Sequence, residues 1–166
     1  MKELVAKLEG LLRLRSIPFG MKLYETVAEM EAIPKIRRPK QSVHTLDQVV
    51  GQASRLGWTV GITTQDLVGD QCRSVVGLGG QDDKWYSGQH MVGVWYATPV
   101  DAAAHQKAMN VVPAGKYKAL AVAPLASGRL NPPDIALFYA TPGAMIYFIN
   151  GLQYSGYKRF DWSVVG

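Results

Sequence analysis

The stretch HTLDQVVGQASRLGWTVGITT (residues 44–64) pairs a clear helix signal with a clear strand signal. Thr45 followed three residues later by Gln48 is a capping-box pattern, which predicts the start of a helix. Apolar residues recur at helical spacing over residues 46–53, and Gly57 is a natural C-terminal stop. The alternation of apolar residues in WTVGITT (58–64) then predicts a strand.

The rest of the chain continues this alternation of helices and strands. We predict helices over residues 3–15 and after each of Asp70, Thr98 and Thr141, while residues 81–90 are polar and are expected to form a loop. Further strands are predicted at 16–25, 91–97, 116–125 and 134–140, with a final strand after the last helix. The segments 116–125 and 134–140 have the composition of strands buried on both faces.

This order predicts an α/β or α+β fold, in which helices pack on a mixed sheet. Mixed strand directions are expected because only a short Pro/Gly-containing loop joins the strands at 116–125 and 134–140. The length of 166 residues fits a single globular domain over residues 1–166, large enough to fold around one core.

A four-residue echo, Tyr-Ala-Thr-Pro, occurs at residues 96–99 and again at 139–142. In both copies the threonine is placed to cap a helix and the proline falls at the first helical position, where its missing N–H costs nothing. Either an old duplication or convergent capping accounts for the echo. The second copy leads into an apolar stripe, which we interpret as core: Met145, Phe148, Ile149 and Leu152.

Composition narrows the class of protein. Hydrophobic residues make up 48% and charged residues 19%, as in a globular protein. The lone Cys72 excludes an internal disulfide and an all-cysteine zinc site within one chain, so no metal site is predicted and the cofactor stays unknown.

The N-terminus does not have the pattern of a signal peptide, and no apolar stretch is long enough to span a bilayer. We therefore expect a cytoplasmic protein without membrane contact.

The net charge of +5 permits an anionic partner. The densest basic run is PKIRRPKQ (34–41), which could contact phosphate or an acidic protein, or could form a solvated, extended loop. No nucleic-acid-binding motif accompanies this run, so we do not expect nucleic acid as a partner.

The segment TTQDLVGDQCRSVVGLGG (63–80) contains the strongest candidate site. Asp70 is a good N-cap residue, and a helix beginning there would place Cys72 in its first turn, where its thiolate would be stabilised. Asp66 and Asp70, if close, would raise the pKa of Cys72 instead. The structural alternative is a buried cysteine packed at a helix start. GLGG (77–80) is a weak match to a phosphate loop, because it follows a helix rather than preceding one.

Three segments together resemble the family called domain of unknown function 169: residues 12–23, 63–79 and 118–154. The resemblance implies that the segment around Cys72 is the family's central motif. Members of this bacterial and archaeal family tend to carry a second cysteine at the start of the helix that here begins after His44, and another beyond the last strand. The resemblance therefore implies that a metal site of the family lacks ligands in this chain and that a C-terminal portion of the family is missing.

Two classes of function are open. The first is a small-molecule binding protein or an accessory subunit of an anaerobic enzyme system, acting alone, as a homo-oligomer or with a protein partner. The second is an enzyme that uses Cys72 as nucleophile or redox group, with Asp70 and His44 handling protons. The candidate ligand-binding residues are Asp66, Arg73, Trp85, Tyr86 and Tyr139. If Cys72 borders the main pocket, we expect it to react with iodoacetamide faster than a free thiol.

Overall fold

The computed structural model describes residues 1–39, 43–67, 69–81, 83–154 and 156. Within these residues, one four-stranded sheet has the order β2-β3-β1-β4. The strands are β1 (Phe19–Tyr24), β2 (Val60–Thr63), β3 (Ala119–Pro124) and β4 (Ile135–Leu137). The helices are α1 (Lys2–Leu12), α2 (Val27–Glu31), α3 (Leu46–Leu56), α4 (Asp70–Val75), α5 (Asp83–Ser87), α6 (Pro99–Ala108) and α7 (Pro142–Gln153). The predicted fold class, an α+β domain with helices packed on a sheet, is confirmed.

The neighbouring strands of this sheet pair antiparallel, so the predicted mixture of directions within the sheet is not found. Strands β3 and β4 do run in the same direction, but they lie on opposite sides of β1 and do not pair with each other. The short connection between them crosses the end of β1, where Leu125 donates from its backbone to Pro18 and Asp134 donates to Met21. Among the described residues, parallel pairing is confined to isolated bridges such as Arg37 with Val60.

The central strand β3 presents different side chains to its two faces. Leu120 and Val122 belong to the larger core cluster, which includes residues of α3 and β1. The small alanines 119, 121 and 123 belong to a second cluster with Met30 of α2. These five positions are at most 1% exposed, as predicted for a strand that is buried on both faces.

The capping signals in the sequence correctly predict where helices α3, α6 and α7 begin. The capping box of Thr45 and Gln48 is formed in both directions, and Gly57 ends α3 in the left-handed conformation. Thr98 and Thr141 accept hydrogen bonds from the backbone of residues 101 and 144, with proline in the first turn each time. The parallel between the two copies is limited to the helices, because a named strand precedes only α7.

Three predictions about individual segments are wrong, and one short helix was missed. Residues 81–90 are not simply a loop, since they contain α5 and a 3₁₀ turn at Gln89–Met91. Residues 91–97 form turns and a single bridge from Val92 to Tyr96 instead of a strand. Strand β4 is a short edge strand with Ile135 47% exposed, not a strand buried on both faces. The short helix α2 was not predicted. The final strand falls outside the described residues.

The two terminal helices are less buried than their apolar patterns suggest. In α1 the buried residue is Val5, whereas Leu4 and Leu11 are mostly exposed. None of the residues of α7 is buried, so its apolar stripe is not part of the core. The two helices contact each other and leave apolar side chains at the surface. Within the part of the chain that the structure describes, no helix has the length and apolar character needed to cross a membrane.

Candidate functional site

A cavity of about 580 Å³ lies beside α4, between this helix and α5. Helix α4 contributes Gln71, Arg73 and Ser74 to its wall. The opposite wall carries Lys84 and Trp85 of α5. The prediction that the segment around Cys72 borders a pocket therefore has a structural counterpart, although Cys72 is not among the residues that line the cavity.

The glycine loop, residues 77–80, completes the wall through Gly79 and Gly80. Gly77 has a positive φ of 73°, and a Cβ there would lie 2.8 Å from a methyl group of Val112. At Gly79 a Cβ would lie 2.7 Å from the Cβ of Arg73. Glycine is thus required at both positions, because the loop passes so close to its neighbours.

Side chains hold the glycine loop in place. Thr64 Oγ1 donates to the carbonyl of Leu78 at 2.8 Å, and Ser74 Oγ donates to the carbonyl of Gly80 at 2.6 Å. Gln81 Nε2 donates to the carbonyl of Ser74 at 2.7 Å. With these carbonyls satisfied, the loop is anchored to α4 and to the end of β2.

The wall of the cavity is basic. Arg73 and Lys84 contribute basic side chains, and His90 is placed by a 3.1 Å contact between its Nε2 and Gln71 Oε1. Among the described residues that line the cavity, no side chain is acidic.

Cys72 lies on another side of α4, against the start of α3. Its pKa is raised by burial and by the carboxylate of Asp47, while a hydrogen bond from the backbone N–H of Leu46 acts in the opposite direction. The thiol is half-buried. The acidic neighbour that raises the pKa is Asp47, and Asp66 is not among the causes. The raised pKa gives no support to the expected fast reaction with iodoacetamide.

His44 lies near the same end of α3, two residues before Leu46. Its backbone N–H donates to the carbonyl of Asp66 at 2.8 Å, and it forms an isolated bridge with Leu67. Its Nδ1 is buried and has no hydrogen-bond partner among the residues that the structure describes. The structure thus brings His44 and Cys72 to one end of α3, as a joint role would require.

Asp66 is a structural residue in this arrangement. Its carboxylate accepts from Arg38 at 2.6 Å and from the backbone and hydroxyl of Thr63 at 2.8 Å. Burial alone would raise the pKa of Asp66, but the hydrogen bonds from Thr63 and Arg38 outweigh it and lower the pKa. All three hydrogen bonds end on Oδ2 and hold the carboxylate within the fold, so Asp66 is a poor candidate for ligand binding.

The basic run is also more structured than a solvated loop. Arg38 pairs with both Asp66 and Glu31, and Arg37 stacks over the ring of Trp58 at 4.0 Å. The backbone of Arg37 bonds to Thr59 and Gly61 beside β2. Residues 40 and 41 of the run lie outside the described residues.

The remaining predicted site residues are dispersed. Arg73 and Trp85 lie on the cavity wall, whereas Tyr86 is 37% exposed on α5 and is not part of the wall. Tyr139 is 58% exposed near Phe19, beyond the end of β4. Asp70 is the first residue of α4, and Gly69 occupies the N-cap position that was predicted for Asp70.

Several residues of the cavity were missed by the sequence reasoning, namely Thr64, Gly69, Gln71, Ser74, Lys84 and His90, along with a role for the GLGG segment. The sequence of residues 64–90 contains one signal for this site, which is a glycine-rich segment between the basic residues Arg73 and Lys84. In the described residues, no group of three or more His, Cys, Asp or Glu side chains is arranged to hold an ion.

One family model matches residues 7–166, which is nearly the whole chain. It is the model of domain of unknown function 169, described as "Uncharacterised ArCR". No curated protein and no solved structure matches the chain.

Proposed function

Because the chain belongs to the family domain of unknown function 169, whose description assigns no activity, we propose a function from the site itself: the protein binds a small molecule in the cavity between α4, α5 and the glycine loop. The observation that carries this proposal is the cavity of about 580 Å³ with its anchored wall. Its volume lies in the range of roughly 300–1,000 Å³ that is usual for ligand sites.

The anchoring of the wall supports binding over a passive surface depression. Thr64, Ser74 and Gln81 each donate a hydrogen bond that fixes the glycine loop or the backbone beside it. A site that is already ordered before the ligand arrives loses less entropy on binding. Trp85, only 4% exposed, gives the cavity an apolar surface beside its polar groups.

The experiment that tests this function is a thermal-shift screen of charged and neutral metabolites against two variants. Gly80 has room for a side chain, since no atom lies within 4 Å of an added Cβ, and its φ is not positive. We expect Gly80→Leu to obstruct the cavity and abolish the shifts seen with the wild-type protein. The matched control is Gly10→Leu on α1, where an added Cβ also meets no atom.

Two results would contradict the proposed binding function. If no compound stabilises the wild-type protein, or if Gly80→Leu and Gly10→Leu respond to each hit as the wild type does, the cavity is not a binding site.

A role as an accessory subunit of an anaerobic enzyme system is a second candidate, supported by the surface of α1 and α7. Leu11 is 83% exposed and Tyr147 is 75% exposed beside an apolar groove of about 400 Å³. Contiguous exposed apolar side chains are characteristic of surfaces that contact another protein. We expect a stoichiometric partner to co-purify with the wild-type protein and not with Tyr147→Glu; equal recovery with both would exclude this surface.

The enzymatic alternative, with Cys72 as nucleophile and Asp70 and His44 as proton-handling groups, has weaker support. A nucleophilic cysteine is activated by a lowered pKa or an adjacent base. The pKa of Cys72 is raised by its burial and by Asp47, which disfavours the thiolate that such a nucleophile needs.

A further inference from the structure

We propose that two copies of this chain form a symmetric dimer through the α1–α7 surface. This surface comprises the apolar groove between the two helices and the exposed side chains beside it, which are Leu4, Leu11, Ile146 and Tyr147. The inference goes beyond the binding function of the cavity and does not depend on it. It assigns the surface to a second copy of the chain, whereas an accessory subunit would use it to contact a different protein, and the test separates the two.

The first argument is that α7 lacks the packing that a helix of its composition needs. Its sequence, PGAMIYFINGLQ, contains no charged residue, yet none of its 12 residues is buried. Its contacts within the chain include α1 and an edge-to-face contact at 4.8 Å between the rings of Phe148 and Phe138. Helices of this length owe most of their stability to the packing of an apolar face, so we expect a further element to cover α7.

The second argument is that the surface contains both a groove and the side chains that fit one. Every residue that lines the groove is Leu, Tyr, Phe or Gly. Leu4, Leu8 and Leu11 of α1 follow the i, i+4, i+7 spacing by which an amphipathic helix places its side chains in an apolar groove. Leu4 is 67% exposed and Leu11 is 83% exposed. Because the groove and these leucines belong to one surface, two copies can exchange the same contacts about a two-fold axis.

The third argument is the charge of the surface. The chain has a net charge of +5, so two copies repel each other through most of their surfaces. Helix α1 contains two basic and two acidic residues, of which Glu3 and Lys7 pair at 3.2 Å, and α7 contains none. The two helices therefore have no net charge, and a two-fold interface, which sets a patch against its own copy, is not opposed by like charges there. A strongly charged partner would instead be matched by a surface of opposite charge.

The size of the surface is close to that of a stable interface. Helices α1 and α7 comprise 11 and 12 residues, and a standard interface uses about 20–30 residues a side. Tyr147 is 75% exposed, and Tyr154, seven residues later, is 92% exposed. An aromatic side chain buries about 150–250 Å², so these two alone offer roughly 250–400 Å² of the about 800 Å² that each partner contributes.

The test is sedimentation velocity of the full chain over a range of protein concentrations. We expect the wild type to sediment as a dimer at about 100 µM, with twice the mass of the 18.2 kDa chain. Leu11→Glu and Tyr147→Glu change exposed residues of the surface. Each should weaken dimerisation by about tenfold or more, because the symmetry buries the introduced charge in both copies.

Val100→Glu is the matched control. Val100 is 77% exposed on α6, which is not part of the α1–α7 surface. The substitution makes the same exchange of an apolar residue for an acidic one, and this variant should dimerise as the wild type does. Circular dichroism of all three variants should match that of the wild type, since each change is at an exposed position.

Two results overturn the proposal. A wild type that is monomeric at about 100 µM excludes it, whether the surface then proves to bind a different protein or residues 157–166 of its own chain. Dimerisation of Leu11→Glu and Tyr147→Glu with the affinity of the wild type would place the contact elsewhere. Neither result changes the response of Gly80→Leu in the thermal-shift screen, so the binding function of the cavity is tested separately.

Discussion

The thiol of Cys72 lies beside the backbone N–H of Leu46, the first residue of α3, and this N–H acts to lower the pKa of the thiol. The thiol therefore lies at the N-terminus of a helix other than its own. This contact alone would favour the thiolate, yet burial and the carboxylate of Asp47 have the larger effect and the pKa of Cys72 is raised. The position of the cysteine explains why its reactivity cannot be judged from its neighbours in the sequence.

We predict that Cys72 reacts with iodoacetamide more slowly than an unstructured cysteine peptide at pH 7.5, because less of it is thiolate. The carboxylate of Asp47 is one of the two causes that raise the pKa of Cys72. Asp47→Asn removes it and should speed the reaction. The rate is measured by mass spectrometry of the intact protein. A wild-type rate above that of the peptide would show that the thiol is activated by its surroundings, and no acceleration in Asp47→Asn would show that Asp47 does not raise its pKa.

The raised pKa of Cys72 also predicts how stability depends on alkaline pH. The folded state holds the thiol proton more tightly than the unfolded state, so this contribution to stability is complete below the unfolded pKa and is lost as pH rises through the folded pKa. Cys72→Ala should therefore show a smaller loss of stability on the alkaline side than the wild type in urea titrations. Parallel pH profiles for the two proteins would contradict the assignment.

The ion pair of Arg38 and Asp66 should stabilise the fold. Asp66→Asn is expected to lower the free energy of unfolding by about 1–3 kcal/mol, because it weakens charge-assisted hydrogen bonds at a residue whose side chain is 17% exposed. The pKa of Asp66 is lowered, so its contribution is present above the unfolded pKa and is lost as pH falls through the folded pKa. The variant should accordingly have a flatter acid limb.

Glu31→Gln is the control for this pair, since Glu31 binds the same Arg38 with a side chain that is 53% exposed. We expect it to cost at most about 1 kcal/mol. Urea unfolding of both variants at pH 7 and pH 4 provides the comparison. If Glu31→Gln costs as much as Asp66→Asn, burial is not what gives the Asp66 contact its strength.

Close packing of α2 on the sheet gives a further prediction. A Cβ at Gly61 would collide with the sulfur of Met30 and lie 2.5 Å from Ile36 Cδ1. Gly61→Ala should therefore destabilise the protein by about 1–3 kcal/mol. Gly51→Ala in α3 meets no atom and should stabilise it by up to about 1 kcal/mol, through helix propensity. Thermal unfolding of the two variants distinguishes them, and shifts of the same sign would refute the packing argument.

The sequence predicts those elements whose signals are local. Helix α3 was located by Thr45, Gln48 and Gly57, which act on the backbone within a few residues of themselves. Strand β3 was recognised from its continuous apolar run. In contrast, residues 91–97 have a strand-like composition but find no sheet edge to pair with, and so form turns.

The site was harder to predict than the fold because its wall is assembled from separate elements. Asp66 looked available to a ligand, but Arg38, 28 residues earlier in the chain, occupies its carboxylate. The polarity of residues 81–90 concealed α5, whose Trp85 is buried while Lys84 is exposed on the same wall. Such pairings depend on tertiary contacts that no local pattern records.

The most direct test of the central claim is a titration of ¹⁵N-labelled protein with a compound that stabilises it in the thermal-shift screen, followed by two-dimensional NMR. We predict that the amide signals of Gly79 and Gly80 move in proportion to occupancy and that Lys84→Gln reduces the effect. The signals of Gly10, on α1, should stay in place. Shifts that are absent at Gly79 and Gly80, or that cluster instead at Lys35, Arg37 and Arg38, would show that the compound does not bind in this cavity.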